Sequence, residues 1–196
     1  MHKLLLEIPE RIDAARLYLR CYKPGDGRWY YAMSRRNHDH LKRFESGNVA
    51  MNILSEEEGE ITVRDLAAAW VARDCFFLGA FNKKTDEFVA QIYIGPVNWN
   101  LPEFQIGYFA DIDHEGQGYV TEAVKETLRF IFTYLKAHRI RLECDDINDR
   151  SWHVAERCGM TREGHFRENK KHPDGSFTGT LHYAILKSEF STKKNL

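Results

Sequence analysis

The chain has 196 residues, of which 43% are hydrophobic and 29% charged, and its formal net charge is -1 at pH 7. These values suit a globular chain with a sizeable core, and they argue against global disorder and against a nucleic-acid binder that works through a basic field. The cysteines, Cys21, Cys75, Cys144 and Cys158, show no CxxC spacing, so no metal is expected and reduced thiols in a cytoplasmic protein are the simplest reading.

Met1 to Ile8 is too short, and too soon interrupted by Glu7 and Pro9, to act as a signal h-region. No other apolar run approaches the length of a membrane span, so no membrane partner is expected. The first alternating stretch, Arg16 to Arg20, reads as a strand with Leu17 and Leu19 on one face. Pro24 to Gly27 is a turn cluster, and Trp29 to Phe44, rich in aromatic and basic residues, reads as one or two helices. Ser55 to Glu60 reads as an acidic surface segment, followed by a helix over Val63–Arg73 capped by Thr62 with Asp65 as the capping-box acid.

Phe76–Phe81 and Val89–Ile94 read as a hairpin closed by a turn over Asn82–Glu87, and Pro96–Pro102 as a loop carrying Trp99. Phe104–Ala110 is a further strand. A long helix over Tyr119–Ala137 follows, its stripe of Val120, Val124, Leu128, Ile131 and Leu135 set to pack on a sheet. Arg139–Cys144 alternates as a strand, and Asn148 opens a shorter helix to about Cys158 that Gly159 can stop in the left-handed conformation. Met160–Phe166 and Thr178–Leu186 close the chain as strands around a Pro173-Asp174-Gly175 turn, and the tail after Ser188 is polar and expected to fray. No repeat, low-complexity tract or linker divides the chain. A single mixed α/β domain over residues 1–196 is expected, with its core about 16–186, a short N-terminal extension and a polar C-terminal tail. Its central unit is strand–helix–strand–helix, with antiparallel strands before and after.

The centre of that unit is Gly116-Gln117-Gly118. A strand that passes through a short glycine loop into a helix offers free backbone N–H groups at the helix's positive end, a geometry that receives phosphates. A Rossmann dinucleotide site would want a third glycine where Thr121 stands, and the Gly-Lys-Ser/Thr of a P-loop is missing. A plain strand-to-helix turn remains open, as does a pyrophosphate cradle of another kind.

Asp111-Ile112-Asp113-His114-Glu115-Gly116-Gln117-Gly118-Tyr119-Val120-Thr121-Glu122-Ala123 resembles the acetyl-CoA loop of the GNAT superfamily of N-acetyltransferases, and its Gly-Tyr-x-Thr-Glu-Ala continuation resembles the ribosomal-protein N-acetyltransferase branch. The opening strand Arg16–Arg20, the segment Asn148 to Met160 and its continuation Arg162-Glu163-Gly164 are similar to that branch in the same order, so the resemblance covers about Arg16 to Leu186. It implies a largely antiparallel, splayed sheet flanked by helices, with acetyl-CoA as co-substrate held in a V between two strands. Backbone N–H groups of Glu115, Gly116, Gln117, Gly118 and Tyr119 would take the pyrophosphate, and backbone groups of Phe109, Ala110 and Asp111 would pair with the pantetheine. Asn148 would bond a pantetheine amide, and Ser151 would donate a proton to the departing thiolate. Trp29, Tyr30, Tyr31 and Trp99 fall in segments that line the acceptor cleft or pack at its rim.

Two features depart from the family pattern. Asp113 and Glu115 stand where Arg, Lys or Gln is common, and carboxylates beside a pyrophosphate cost Coulomb energy that His114, if protonated, would offset in part. Gly179 stands where an aspartate is common in the last strand. For a general base, Glu168 is the candidate, with His165, Glu103 and Asp145 as alternatives. A base can also be dispensed with, because a protein α-amine of pKa about 7.7–8.0 is partly neutral near pH 7.4, whereas a lysine near 10.4 is not. The expectation is therefore an acetyl-CoA-dependent N-acetyltransferase that acts on a primary amine, a protein N-terminal α-amine of ribosomal-protein type. The alternatives are a small-molecule amine (a polyamine, amino acid or antibiotic) as acceptor, or a non-catalytic CoA-binding module. Nucleic acid is not expected as a partner, and a second copy of the chain is the macromolecular partner left open beside the acceptor.

Overall fold

The computed structural model describes residues 2–45, 47–172 and 174–192. Its strands form one eight-stranded sheet in the order β1-β2-β3-β4-β5-β6-β8-β7. In chain order these are β1 (Arg11–Asp13), β2 (Leu17–Cys21), β3 (Phe76–Asn82), β4 (Phe88–Asn98), β5 (Glu103–Ala110), β6 (Arg139–Asp145), β7 (Thr161–Lys171) and β8 (Phe177–Leu186). The helices are α1 (Gly27–Lys42), α2 (Glu56–Ala72), α3 (Tyr119–Thr133), α4 (Asp149–Arg157) and α5 (Lys187–Thr192). Among the described residues only β5 and β6 run parallel, because α3 crosses between them; the other neighbours are antiparallel.

The sheet is covered on both faces, which explains why β3 and the first half of β4 are nearly continuous apolar runs. Phe76, Leu78 and Ala80 face one way and join Val124, Leu128 and Ile131 of α3. Phe77 and Phe81 face the other way and join Tyr30, Met33 and Leu41 of α1 and Val63 and Leu66 of α2. That alternation along one strand serves two separate cores.

Several boundaries differ from the sequence reading, each for a local reason. α2 begins at Glu56, because Ser55 is its N-cap and accepts from Glu58 N–H, while Glu58 reaches back to Leu54 N–H. The acidic run is exposed, as expected, and is also the favourable first turn of a helix. Thr62 is interior to that helix and donates its hydroxyl to Glu58 O instead of capping. Pro96 is not in a loop: β4 continues through it to Asn98, and the ladder shifts register there, as a residue without an N–H requires. α3 ends at Thr133 rather than Ala137, with Lys136 at φ 59, yet Leu135 and Ala137 remain buried. The segment after Ser188 is not frayed up to Thr192, since α5 forms there and Phe190 stacks on Phe132 at 4.9 Å. Pro173 of the expected β7–β8 turn and the last four residues lie outside the described residues. β1 was not anticipated; it adds a short outer edge to β2.

Candidate acetyl-CoA site

The pairing of β5 with β6 runs from Glu103↔Arg139 to Ile106↔Leu142 and then stops, although β5 continues to Ala110 and β6 to Asp145. Past Ile106 the two strands part, and the edge of β5 facing β6 is open. Asp111 N–H donates to Val89 O at 3.0 Å, and Ala110 stands opposite Ala90. Peptide groups alternate in direction along a strand, so those of Phe109 and Asp111 turn toward β4 while those of Tyr108 and Ala110 turn into the cleft. Of the three backbone positions expected to line it, Ala110 therefore faces the opening, and Tyr108 joins it.

At the end of β5, Asp111 caps a single 3-10 turn over Ile112–His114, and Gly116 and Gly118 follow at φ 72 and 77. Those left-handed angles let the chain reverse directly into α3, whose N-cap is Gly118. The first helical bond is Glu122 N–H to Gly118 O, so the N–H groups of Tyr119, Val120 and Thr121 have no acceptor in the helix. Among the described residues none accepts from the N–H groups of Glu115, Gly116, Gln117 or Gly118 either. A row of free donors at a helix N-terminus of this length suits an anion and fits the pyrophosphate of CoA.

Side chains distant in sequence hold this loop. Arg16 donates from Nη1 to Gln117 O at 3.0 Å and pairs through Nε with Glu122 at 2.7 Å, its guanidinium 4.6 Å from the Tyr119 ring centre. Asn82 donates to the Tyr119 hydroxyl. The acid-rich approach is neutralised rather than exposed to the anion. Glu115 pairs with Arg150 of α4, with His40 at 3.6 Å, and Asp113 lies 3.3 Å from Arg36. Asp111 is fully buried and accepts from Arg36 and from Asn37 Nδ2. Burial opposes its ionisation, but the hydrogen bonds from Arg36 and Asn37 outweigh burial and hold its carboxyl below the usual range. Arg36 of the basic segment thus serves the loop. His114 is largely covered, against Asp111 at 3.4 Å and Glu87 at 3.7 Å, and is not an open loop histidine.

α4 brings the other expected groups to the same cleft. Asn148 is its N-cap, and its Oδ1 accepts from Ser151 N–H at 3.2 Å. Tyr108 of β5 donates its hydroxyl to Ser151 O at 2.8 Å, and Ser151 Oγ lies 3.5 Å from the Tyr108 oxygen. The first turn of α4 is thereby tied to the strand edge where β5 leaves β6. Tyr108 was missed in the sequence, where only its place beside Phe109 could have flagged it. Burial pushes the Cys144 and Cys158 thiols up to about 11, so near neutral pH both stay protonated and neither is a ready nucleophile.

The remaining candidates scatter. Glu168 sits in the β7 bulge between Phe166 and Lys170, at φ 51 and exposed, and is not joined to the Ser151 cluster. Glu103 is paired with Arg139, Asp145 accepts from Thr178, and His165 pairs with Asp146 at 2.8 Å. Tyr30 is buried in the core with its hydroxyl on Gln91, Trp29 donates to Asp26, and Trp99 packs edge-on against Phe104, so these three serve packing. No group of His, Cys, Asp and Glu among the described residues could hold a metal ion. No helix among them is long and apolar enough to cross a membrane.

On the α1/α2 face lies a cavity of about 460 Å3, within the usual range for small-ligand sites. Phe77, Tyr93 and Phe109 form its aromatic side, Phe44, Glu45, Gly47, Asn48 and Val49 after α1 cover it, and it reaches Gly107 and Tyr108, the first β5 residues beyond the β6 ladder. It therefore approaches the parting of the strands from the face opposite α3 and α4.

Residues 16–161 match the model of the acetyltransferase (GNAT) domain. The chain belongs to the GNAT acetyltransferase family. Among curated GNAT relatives, the uncharacterised N-acetyltransferase YnaD of Bacillus subtilis (strain 168) is 33% identical over 89 residues, 45% of this chain and 51% of that protein. The spermidine N(1)-acetyltransferase of Vibrio cholerae serotype O1 (strain ATCC 39315 / El Tor Inaba N16961) is 31% identical over 88 residues, 45% of this chain and 49% of that protein. The match thus spans about half the length of these relatives. A solved structure of RimL, a ribosomal L7/L12 alpha-N-protein acetyltransferase in complex with coenzyme A, shares the fold with a TM-score of 0.80 at 18% identity, over 90% of this chain and 98% of that one.

Proposed function

We propose that the protein transfers the acetyl group of acetyl-CoA directly to a primary amine in a ternary complex, the acceptor being a protein N-terminal α-amine. The observation that carries this reading is a pair of features at the end of β5, the free N–H row over Glu115–Thr121 and the β5 edge left unpaired past Ile106. Acetyl-CoA, when bound, supplies the activated acyl group as a thioester. The N–H groups of Glu115, Gly116, Gln117, Gly118 and Tyr119 hold its pyrophosphate, and Ala110 and Tyr108 pair with its pantetheine as an added strand would, while Asn148 bonds an amide. Ser151 Oγ donates a proton to the leaving sulfur. Glu168, exposed in the β7 bulge, is the candidate base for the proton that the amine loses. The high thiol pKa values at Cys144 and Cys158 favour direct transfer over an acetyl-cysteine route.

An α-amine as acceptor is supported by the shared fold with the L7/L12 enzyme and by the share of α-amines that is neutral near pH 7.4. A small polyamine is the second reading, favoured by the segment related to the spermidine enzyme. The test is release of CoA thiol from acetyl-CoA on addition of N-terminal peptides or polyamines. With an active acceptor in hand, Ser151→Ala is expected to lower kcat at least tenfold with CoA affinity nearly unchanged, and an unaltered rate would remove Ser151 from the mechanism. Tight CoA binding without turnover on any amine would leave a binding module in place of an enzyme.

A further inference from the structure

We infer that Glu45 makes the acceptor site selective for amines that carry a second positive charge besides the amine that reacts. The inference rests on the acetyltransferase reading of the cleft, because it assigns the cavity over β3–β5 to the acceptor.

Glu45 follows the end of α1 and lines that cavity together with Phe77, Tyr93 and Phe109, in a wall otherwise aromatic and amide-bearing. The amides are already engaged. Gln91 Oε1 accepts from the hydroxyls of Tyr22 and Tyr30, and Asn48 Oδ1 accepts from Ala50 N–H. The half-buried Glu45 carboxylate has a single long hydrogen bond, 3.3 Å from Asn48 Nδ2, and no cation within ion-pair distance among the described residues. A carboxylate withdrawn from water and left unpaired is costly, and a cation entering the cavity relieves that cost. Burial lifts the Glu45 carboxyl above its ordinary pKa, with Lys170 of β7 acting against the rise from farther away. The other titratable groups of the cavity, Tyr93 of β4 and Tyr108 of β5, are both raised by burial and stay neutral, so they bring no charge of their own.

The charge that Glu45 meets is not that of the reacting amine. Attack on a thioester needs a nitrogen lone pair, so the reacting amine must be neutral when it attacks, whereas an ionised Glu45 attracts a group that keeps its charge. The cavity reaches Gly107 and Tyr108 at the parting of the strands on one side and Glu45 on another. An acceptor can therefore place a neutral amine toward the thioester while a second ammonium or guanidinium rests on Glu45, with an apolar stem against the aromatic rings. A diamine or a peptide N-terminus followed by a basic residue shares this chemistry.

The experiment compares 1,4-diaminobutane with butylamine, and a peptide with lysine at its second position with the alanine peptide, in wild type and Glu45→Gln. Thiol release gives kcat and KM, and calorimetry at pH 8 gives the binding of 1,4-diaminobutane. In the wild type the doubly charged acceptors should have kcat/KM at least tenfold higher, mostly through KM, and Glu45→Gln should erase that preference while CoA affinity stays within twofold. Diamine affinity should also fall with pH at a higher pH than an ordinary carboxylate would allow. The diamine and peptide arms tell which source of the second charge the cavity takes. Turnover without a preference, or a preference kept by Glu45→Gln, overturns the inference and leaves the acetyltransferase reading intact. Glu45-dependent diamine binding without turnover on any amine would overturn that reading and with it the acceptor role of the cavity, leaving only a diamine-binding site at Glu45. Absence of both turnover and diamine binding overturns both.

Discussion

Gly179 sits where three groups converge, and replacing it by alanine tests whether the C-terminal hairpin sets the geometry of the cleft. A Cβ at this position would fall inside contact distance of Asp146 Oδ2 and His165 Nε2 and 2.6 Å from the Phe166 carbonyl oxygen. The two side chains can yield, but the carbonyl belongs to the paired backbone of β7, so the strands themselves must separate. Overpacking of this kind costs about 1–3 kcal/mol. Disturbing the partly exposed His165–Asp146 pair adds roughly 0.2–1 kcal/mol, and the stiffer unfolded chain returns about 0.4–1 kcal/mol. A net loss of about 1–3 kcal/mol lowers the Tm of a chain of this size by roughly 2–12 °C. Because Asp146 leads within a few residues to Asn148 and Ser151, CoA affinity should fall as well. Thermal denaturation and CoA titration of Gly179→Ala measure both effects. In a His165→Ala background the penalty should shrink without vanishing, since the Phe166 carbonyl remains. A Tm within 1 °C of wild type would refute the packing argument, and strict additivity with His165→Ala would remove His165 from the clash.

Other consequences follow from the loop and the core. Gly118→Ala meets only Arg16 Nη2 at 3.6 Å, an ordinary contact, so its cost is the left-handed backbone at φ 77, about 1–2 kcal/mol. It should appear as weaker CoA binding, and Gly118→Asn should be milder, as binding isotherms of the two variants will tell. Asp111→Asn removes the charge from the hydrogen bonds to Arg36 and Asn37, a loss of about 2 kcal/mol near pH 7. Since the folded-state pKa of Asp111 is depressed, this contribution is present above the unfolded value near 3.9 and fades as pH falls through the folded value. Urea denaturation should thus show the gap between wild type and Asp111→Asn closing below about pH 4. Gln91→Leu leaves the buried hydroxyls of Tyr22 and Tyr30 without their acceptor, at about 1–3 kcal/mol each, and should reduce the denaturation midpoint sharply.

The sequence by itself determined the features that depend on near neighbours along the chain. Period and punctuation located the β3–β4 hairpin, the α3 stripe and the glycine loop, because each is dictated by residues a few positions apart. The start of α2 is equally local, since Ser55 caps the N–H of Glu58 three residues on and the exposed acids between them favour a helix's first turn. Tertiary structure decided what the loop's acids do. Glu115 finds Arg150, Asp111 finds Arg36, and Arg16 clasps Gln117, across 35 to 101 positions of chain. Local pattern carries no information about such pairs, since they exist only once α1, β2 and α4 have packed around the end of β5. The same holds for the open edge at Tyr108 and Ala110, which depends on where β6 leaves its neighbour, and for Glu45, whose burial is set by strands that lie well beyond it in the chain. The turn into α3 was written in two glycines; the charges around it and the cavity that reaches Gly107 and Tyr108 required the folded sheet.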